Sequence, residues 1–126
     1  ESDVSLANTS GNAGLLVRAS NPGVGTDSVD GYYIGLTSTG IVIGKESYGY
    51  TPLAAATLPG GIAANTEFHL TVVAKGCALT ATAVSLNNPT DEVQTSATDC
   101  TYATGAVGLR TYGTAATWRQ FTASAI

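Results

Sequence analysis

The sequence predicts an all-β protein, an antiparallel β-sandwich of jelly-roll type, on three observations. Short β-branched or aromatic runs recur along the whole chain, separated by Gly, Pro, Asn and Ser turn chemistry. No segment of helical length keeps apolar residues at i, i+3, i+4 and i+7 without interruption by Gly, Pro or β-branched residues. Within the runs, apolar and polar side chains alternate, as in strands with one face on a core. The 126 residues fit one domain, residues 1–126. At this size folding should bury roughly two thirds of the unfolded surface.

The first predicted strand is Gly14 to Ala19 (GLLVRA), closed by the Asn21-Pro22-Gly23 turn. Gly31 to Thr37 (GYYIGLT) follows. Its alternation sets Tyr32, Ile34 and Leu36 on one face and Tyr33, Gly35 and Thr37 on the other, which makes Tyr33 the outward tyrosine. Thr37-Ser38-Thr39-Gly40 turns into Gly40 to Lys45 (GIVIGK), and Tyr50 to Leu58 comes next. In Glu67 to Lys75 (EFHLTVVAK), Phe68, Leu70 and Val72 form a core face, opposite His69, Thr71 and Val73. Leu79 to Leu86, Glu92 to Ser96, Ala106 to Tyr112 and Thr117 to Ala123 complete the set. Gly35, Gly44 and Gly108 either leave shallow room above a sheet or mark bulges and close packing. The chain has no internal repeat and no low-complexity linker.

Composition excludes several function classes. Charged residues are 11% of the chain, the net charge is −4, and Thr, Ser, Gly and Ala dominate, so hydroxyls and amides keep the surface wet. Five Lys plus Arg with no basic run cannot neutralise many phosphates, which argues against nucleic acid and membranes as partners. No apolar run is long enough to span a bilayer and no signal peptide is present. The expectation is a mature, soluble, monomeric domain cut from a larger secreted protein. Cys77 and Cys100 read as a disulfide in a secreted chain, the alternative being two unrelated buried thiols. Such a bridge would stabilise the fold by about 3 kcal/mol in the chain-entropy model. Asn8-Thr9-Ser10 is the single N-glycosylation sequon, because Pro89 spoils Asn88-Pro89-Thr90.

Catalytic constellations are missing. The one histidine, His69, falls in a strand pattern that suits a structural residue with a satisfied ring nitrogen. There is no Gly-x-Ser-x-Gly context for a nucleophile and no Cys/His spacing for a metal. The nine acids sit mostly in turns and at strand ends, where solvation is their ordinary role. Asp27 and Asp30, in GTDSVDG, could join backbone carbonyls around a structural calcium ion, although their spacing is loose. No other cofactor is implied. The chain reads as one that binds and does not catalyse.

What it could bind is suggested by DGYYIGLTSTGIVIGKESYGYT, residues 30–51, which holds four of the six tyrosines beside Lys45 and Glu46. Neutral sugars offer C–H patches that pack on aromatic faces and hydroxyls that suit charged or amide side chains. Tyr33, Tyr48 and Tyr50 could supply faces, and Lys45, Glu46 and Arg18 hydrogen bonds. Neighbours in a regular strand point to opposite sides, so Lys45 and Glu46 reach one ligand only if the strand breaks there, as GKESYGY suggests. The plainer alternative is a solvated strand end with half-buried tyrosines. In GLRTYGTAATWRQF, Tyr112 lies exposed at a strand end, and Trp118 is either a core residue of the closing strand or a further stacking face. Arg110 shares the face of Tyr112, with a cross-strand ion pair or a loop hydrogen bond as its expected role.

AGLLVRASNPGVGTDSVDGYYIGL, then IVIGK, EFHLTVVAKG and GAVGLRTYGTAATWRQFTAS, together resemble the family 66 carbohydrate-binding modules, concanavalin-like β-sandwiches appended to secreted glycoside hydrolases. The likeness runs from about Gly14 to Ser124. It implies recognition of the terminal sugar of a β-fructan of levan or inulin type, through a small pocket of charged and aromatic side chains. By motif, the resemblance makes Lys45 the basic residue and Glu46 its acidic neighbour, with Tyr50 standing where relatives often carry Trp. The exposed aromatic after Gly-x-Arg-Thr is Tyr112. Tyr50 in place of Trp shrinks the stacking surface, so a different furanoside or pyranoside end, such as arabinose, stays open, while Arg119-Gln120 in place of the Asp-Asn of relatives could alter a structural ion pair or metal. The alternative function is a structural accessory sandwich that packs on a catalytic domain and binds no sugar.

Overall fold

The computed structural model covers residues 1–126 and contains strands but no helix. The ten strands are β1 (Ser2–Leu6), β2 (Asn12–Ser20), β3 (Asp30–Leu36), β4 (Gly40–Ser47), β5 (Tyr50–Thr57), β6 (Phe68–Lys75), β7 (Ala78–Ser85), β8 (Glu92–Thr98), β9 (Ala106–Tyr112) and β10 (Ala116–Arg119). They form two five-stranded antiparallel sheets, ordered β10-β1-β6-β7-β8 and β5-β4-β3-β2-β9. The connections after β1, β5, β8 and β9 cross between the sheets, so neither layer is built from one continuous stretch. The predicted all-β antiparallel sandwich is therefore what the chain forms.

The alternation predicted along the strands places the core. Tyr32, Ile34 and Leu36 of β3 meet Ile41 and Ile43 of β4, Phe68 and Leu70 of β6, and Leu79, Ala81 and Ala83 of β7 in one buried cluster. Each such large apolar side chain contributes about 1.5–3 kcal/mol relative to exposure. Tyr33, Gly35, Gly44 and Glu46 lie on the outer face of the second sheet, because Tyr33 pairs with Gly44 and Gly31 with Glu46 in the β3–β4 ladder.

Two elements differ from expectation. β1 precedes all the predicted strands and inserts between β10 and β6, with Val4 opposite both Trp118 and Phe68. The last strand stops at Arg119 instead of running to Ala123, because Gln120 takes a left-handed backbone, φ 56°, that ends the ladder. Beyond it Phe121 is exposed. The chain ends nevertheless meet, since the Glu1 amino group donates to the Thr122 carbonyl at 2.8 Å and the Thr122 amide returns a bond to the Glu1 carbonyl at 2.9 Å.

The single disulfide joins Cys77, in the β6–β7 turn, to Cys100, just after β8, with Cα atoms 4.6 Å apart. His69 has its Nδ1 2.7 Å from the Asp3 carboxylate, a structural pairing on the outer face of the first sheet. Asn8 is exposed in the β1–β2 turn, where its side-chain oxygen accepts from the Ser10 amide and hydroxyl.

Candidate functional site

The outer face of the second sheet carries a layered polar and aromatic group. Tyr33 forms its floor. It points outward as predicted but is only 1% exposed, because the Arg110 guanidinium lies 4.4 Å above its ring. Its hydroxyl donates to Asn12 Oδ1 at 2.6 Å, and burial pushes its titration well above the ordinary tyrosine range, so it stays a neutral donor. The expected stacking face is therefore a platform for Arg110. The room predicted above Gly35 and Gly44 is real but filled from within. A side chain at Gly35 would collide with the Tyr33 ring, and one at Gly44 with the Tyr50 ring.

Arg110, from β9, sits at the centre. Its Nη2 donates to the Asp27 carboxylate, in the β2–β3 loop, and lies 3.4 Å from Glu46 Oε1. Glu46 is fully buried, and neither of its carboxylate oxygens has a hydrogen-bond partner. Burial raises its titration above the ordinary glutamate range; Arg110 opposes that shift and the Asp27 carboxylate adds to it. A buried acceptor without a donor is costly and uncommon in native proteins, so these two oxygens mark an unmet demand for hydrogen bonds. The Arg110 pair with Asp27 leaves one guanidinium between two carboxylates, a site with excess acceptors.

Above this layer lies a shallow hollow walled by Asn12, Asp27, Tyr50, Arg110 and Tyr112. Tyr50 and Tyr112 are its exposed aromatic edges, 39% and 52% accessible, and the Tyr112 ring centre is 5.7 Å from the Arg110 carbon. The arrangement offers a rigid cationic donor, acidic and amide acceptors, and two ring faces to a polar molecule settling from solvent.

Four of the expected ligand residues meet here: Tyr33, Glu46, Tyr50 and Tyr112. The others go elsewhere. β4 continues through Ser47 without a break at residues 45–46, so Lys45 points away from Glu46 and pairs with Asp99 at 3.0 Å and Thr101 at 3.2 Å. Arg18 takes a left-handed backbone at a β2 bulge and donates to the Gly76 and Tyr102 carbonyls. Tyr48 is exposed on the β4–β5 turn with its hydroxyl on the Asn21 carbonyl, beside the β2–β3 loop. Trp118 packs against the core and donates from its indole nitrogen to the Gly14 carbonyl at 3.2 Å, taking the core role. Asp27 is held by Arg110 and Asp30 by the Asn21 amide, and no group of three or more His, Cys, Asp or Glu gathers as a metal cage. Arg119 pairs with Glu67 at 2.8 Å, an exposed ion pair.

Arg110, Asp27 and Asn12 are the members that sequence reasoning left out of the site. The spacing of Arg110 two residues before Tyr112 was the available signal, since it puts both on one strand face. No family model, curated protein or solved structure matches the chain.

Proposed function

We propose that this sandwich is a non-catalytic carbohydrate-binding module, related to the family 66 modules its motifs resemble. It grips the terminal sugar of a β-fructan or another furanoside and holds a parent glycoside hydrolase near polysaccharide outside the cell. The observation that carries this reading is the buried Glu46 carboxylate, without a hydrogen-bond donor and 3.4 Å from Arg110, whose guanidinium lines a hollow edged by Tyr50 and Tyr112. Sugar hydroxyls would donate to the acceptor-rich centre and accept from Arg110, while the apolar side of the ring packs on the tyrosines. The module works by raising the local concentration of the enzyme it accompanies, which helps even when its own affinity is weak.

Calorimetric titration with levan, inulin, arabinan and their monosaccharides tests the reading. At least one should give heat. Arg110→Ala and Glu46→Ala should each weaken that binding by about tenfold or more, as loss of a charge-assisted hydrogen bond implies. Silence across the panel, or full affinity in both variants, would rule the reading out.

A second reading has its own observation. An apolar groove between the sheets is lined by Val73, Val107 and Phe121, all exposed, with Ile126 at its end. Uncovered apolar surface of this kind suits a structural accessory sandwich seated on a larger catalytic domain. Under that reading the isolated domain gives no heat with any glycan.

A further inference from the structure

The hollow lies on one side of β4, and the other side of the same strand end is held by a separate piece of chain, the loop from Asp99 to Gly105 between β8 and β9. Cys100 ties the loop to Cys77, and the Asp99 amide donates to the Cys77 carbonyl at 2.9 Å. From that anchor the loop reaches three consecutive residues of β4. Asp99 takes the Lys45 ammonium at 3.0 Å, the Tyr102 hydroxyl donates to the Glu46 carbonyl at 2.8 Å, and the same hydroxyl lies 2.5 Å from Ser47 Oγ.

Tyr102 is itself fixed on every side. Its amide donates to the Tyr32 hydroxyl at 3.1 Å, and its ring meets that of Tyr32 edge-on with centroids 5.3 Å apart. Its carbonyl accepts from Arg18 at 3.0 Å. The tyrosine therefore belongs to a rigid frame in which two other expected ligand residues, Arg18 and Lys45, also serve. The peptide that carries the buried carboxylate of the site is paired with Gly31 and Tyr50 near the end of its two ladders, and the Tyr102 hydroxyl on its carbonyl is what ties it to this frame. Just beyond it the chain enters the left-handed turn at Tyr48, where no regular ladder continues.

Building on the sugar-binding reading of the Glu46 site, we infer that Tyr102 is a positioning residue for the Glu46, Arg110 and Asp27 group, and that the Cys77–Cys100 staple influences ligand affinity through it. A recognition site keeps its strength only while its polar groups hold their places to within a fraction of an ångström. Glu46 reaches Arg110 across 3.4 Å, so a small tilt of its peptide removes that contact.

Tyr102→Phe deletes the hydroxyl and keeps the ring, and Cys77→Ala with Cys100→Ala deletes the staple. Carbon-13 NMR of the Glu46 carboxyl through a pH titration reads the site with no ligand present. Calorimetry reads affinity for whichever of levan, inulin and arabinan the wild type binds. In Tyr102→Phe the Glu46 titration should move further up, as the Arg110 contact that opposes its rise is lost, and affinity should fall about three- to tenfold. The cysteine variant should do the same; if it does not fold, Tyr102→Phe decides alone. An unchanged Glu46 titration in Tyr102→Phe overturns the inference whatever the affinity does. A shifted titration with unchanged affinity overturns the link to binding. A wild type silent with every glycan removes the sugar-binding reading, and the titration still decides the positioning role.

Discussion

Glu46 is the residue whose chemistry and position disagree most. It is charged by type, yet both its oxygens are buried and undonated. Its titration lies above the unfolded value of 4.5, chiefly through burial. An acid with a raised folded value keeps its proton in the folded state at pH values where the unfolded chain has lost it. Its contribution to stability is therefore greatest below pH 4.5 and declines as pH rises through the raised folded value. Glu46→Gln should accordingly be more stable than wild type at neutral pH, with the gain vanishing as pH drops below about 4, as urea titrations at both pH values would show. A neutral-pH stability equal to or below wild type would mean that Arg110 compensates the charge more fully than the geometry indicates. At this scale the sequence was half legible. Glu46, Tyr50 and Tyr112 stand out as polar or aromatic residues at strand ends. Arg110 and Asp27 are 83 residues apart and their pairing leaves no local trace. Lys45 was misplaced because turn chemistry at Tyr48-Gly49 looked like an earlier break, whereas the β3–β4 ladder holds through Ser47.

Among the elements, strand positions followed from alternation wherever a strand carried several large apolar residues, as β3, β4 and β6 do. β1 escaped notice because in SDVSL only Val4 and Leu6 are apolar, and Ser2, although buried, bonds to the Arg119 carbonyl at 2.7 Å through its hydroxyl. Its strand character comes from the two neighbours it joins, which are remote in sequence. β4 shows how an element builds a site. Gly44 gives the Tyr50 ring a seat directly on the backbone, and a Cβ there would lie 2.0 Å from that ring. Gly44→Ala must push Tyr50 outward and should cost about 1–3 kcal/mol in thermal or urea unfolding. The same substitution should lower glycan affinity, because Tyr50 walls the hollow. A neutral effect on stability would show that the ring swings aside freely.

In the whole molecule, one end of the sandwich is organised by the stapled loop. Hydrogen bonds from Thr101 and Tyr32, with the Lys45 ammonium, hold Asp99 well below the ordinary carboxylate range. A lowered acid contributes stability at neutral pH that is lost as pH falls below its unfolded value of 3.8. Removing the disulfide that anchors this loop should cost about 3 kcal/mol, given a separation of 23 residues. Urea unfolding with and without a thiol reductant measures it, and equal midpoints would mean that the loop holds without its staple. The two-layer architecture was readable from strand count and turn spacing. Which strands neighbour which was not, since β1 with β10 and β2 with β9 are pairings that only the closed fold creates.

The bonded contact between Glu1 and Thr122 puts the beginning and the finish of the fold side by side at the β1–β10 edge. Joining them by a short peptide and opening the chain at the exposed Asn8 turn would leave every ladder intact, yet convert β10 and β1 into a consecutive hairpin. A long-range closure would become a local one, and a circularly permuted chain of this kind has less loop entropy to lose before its first sheet forms.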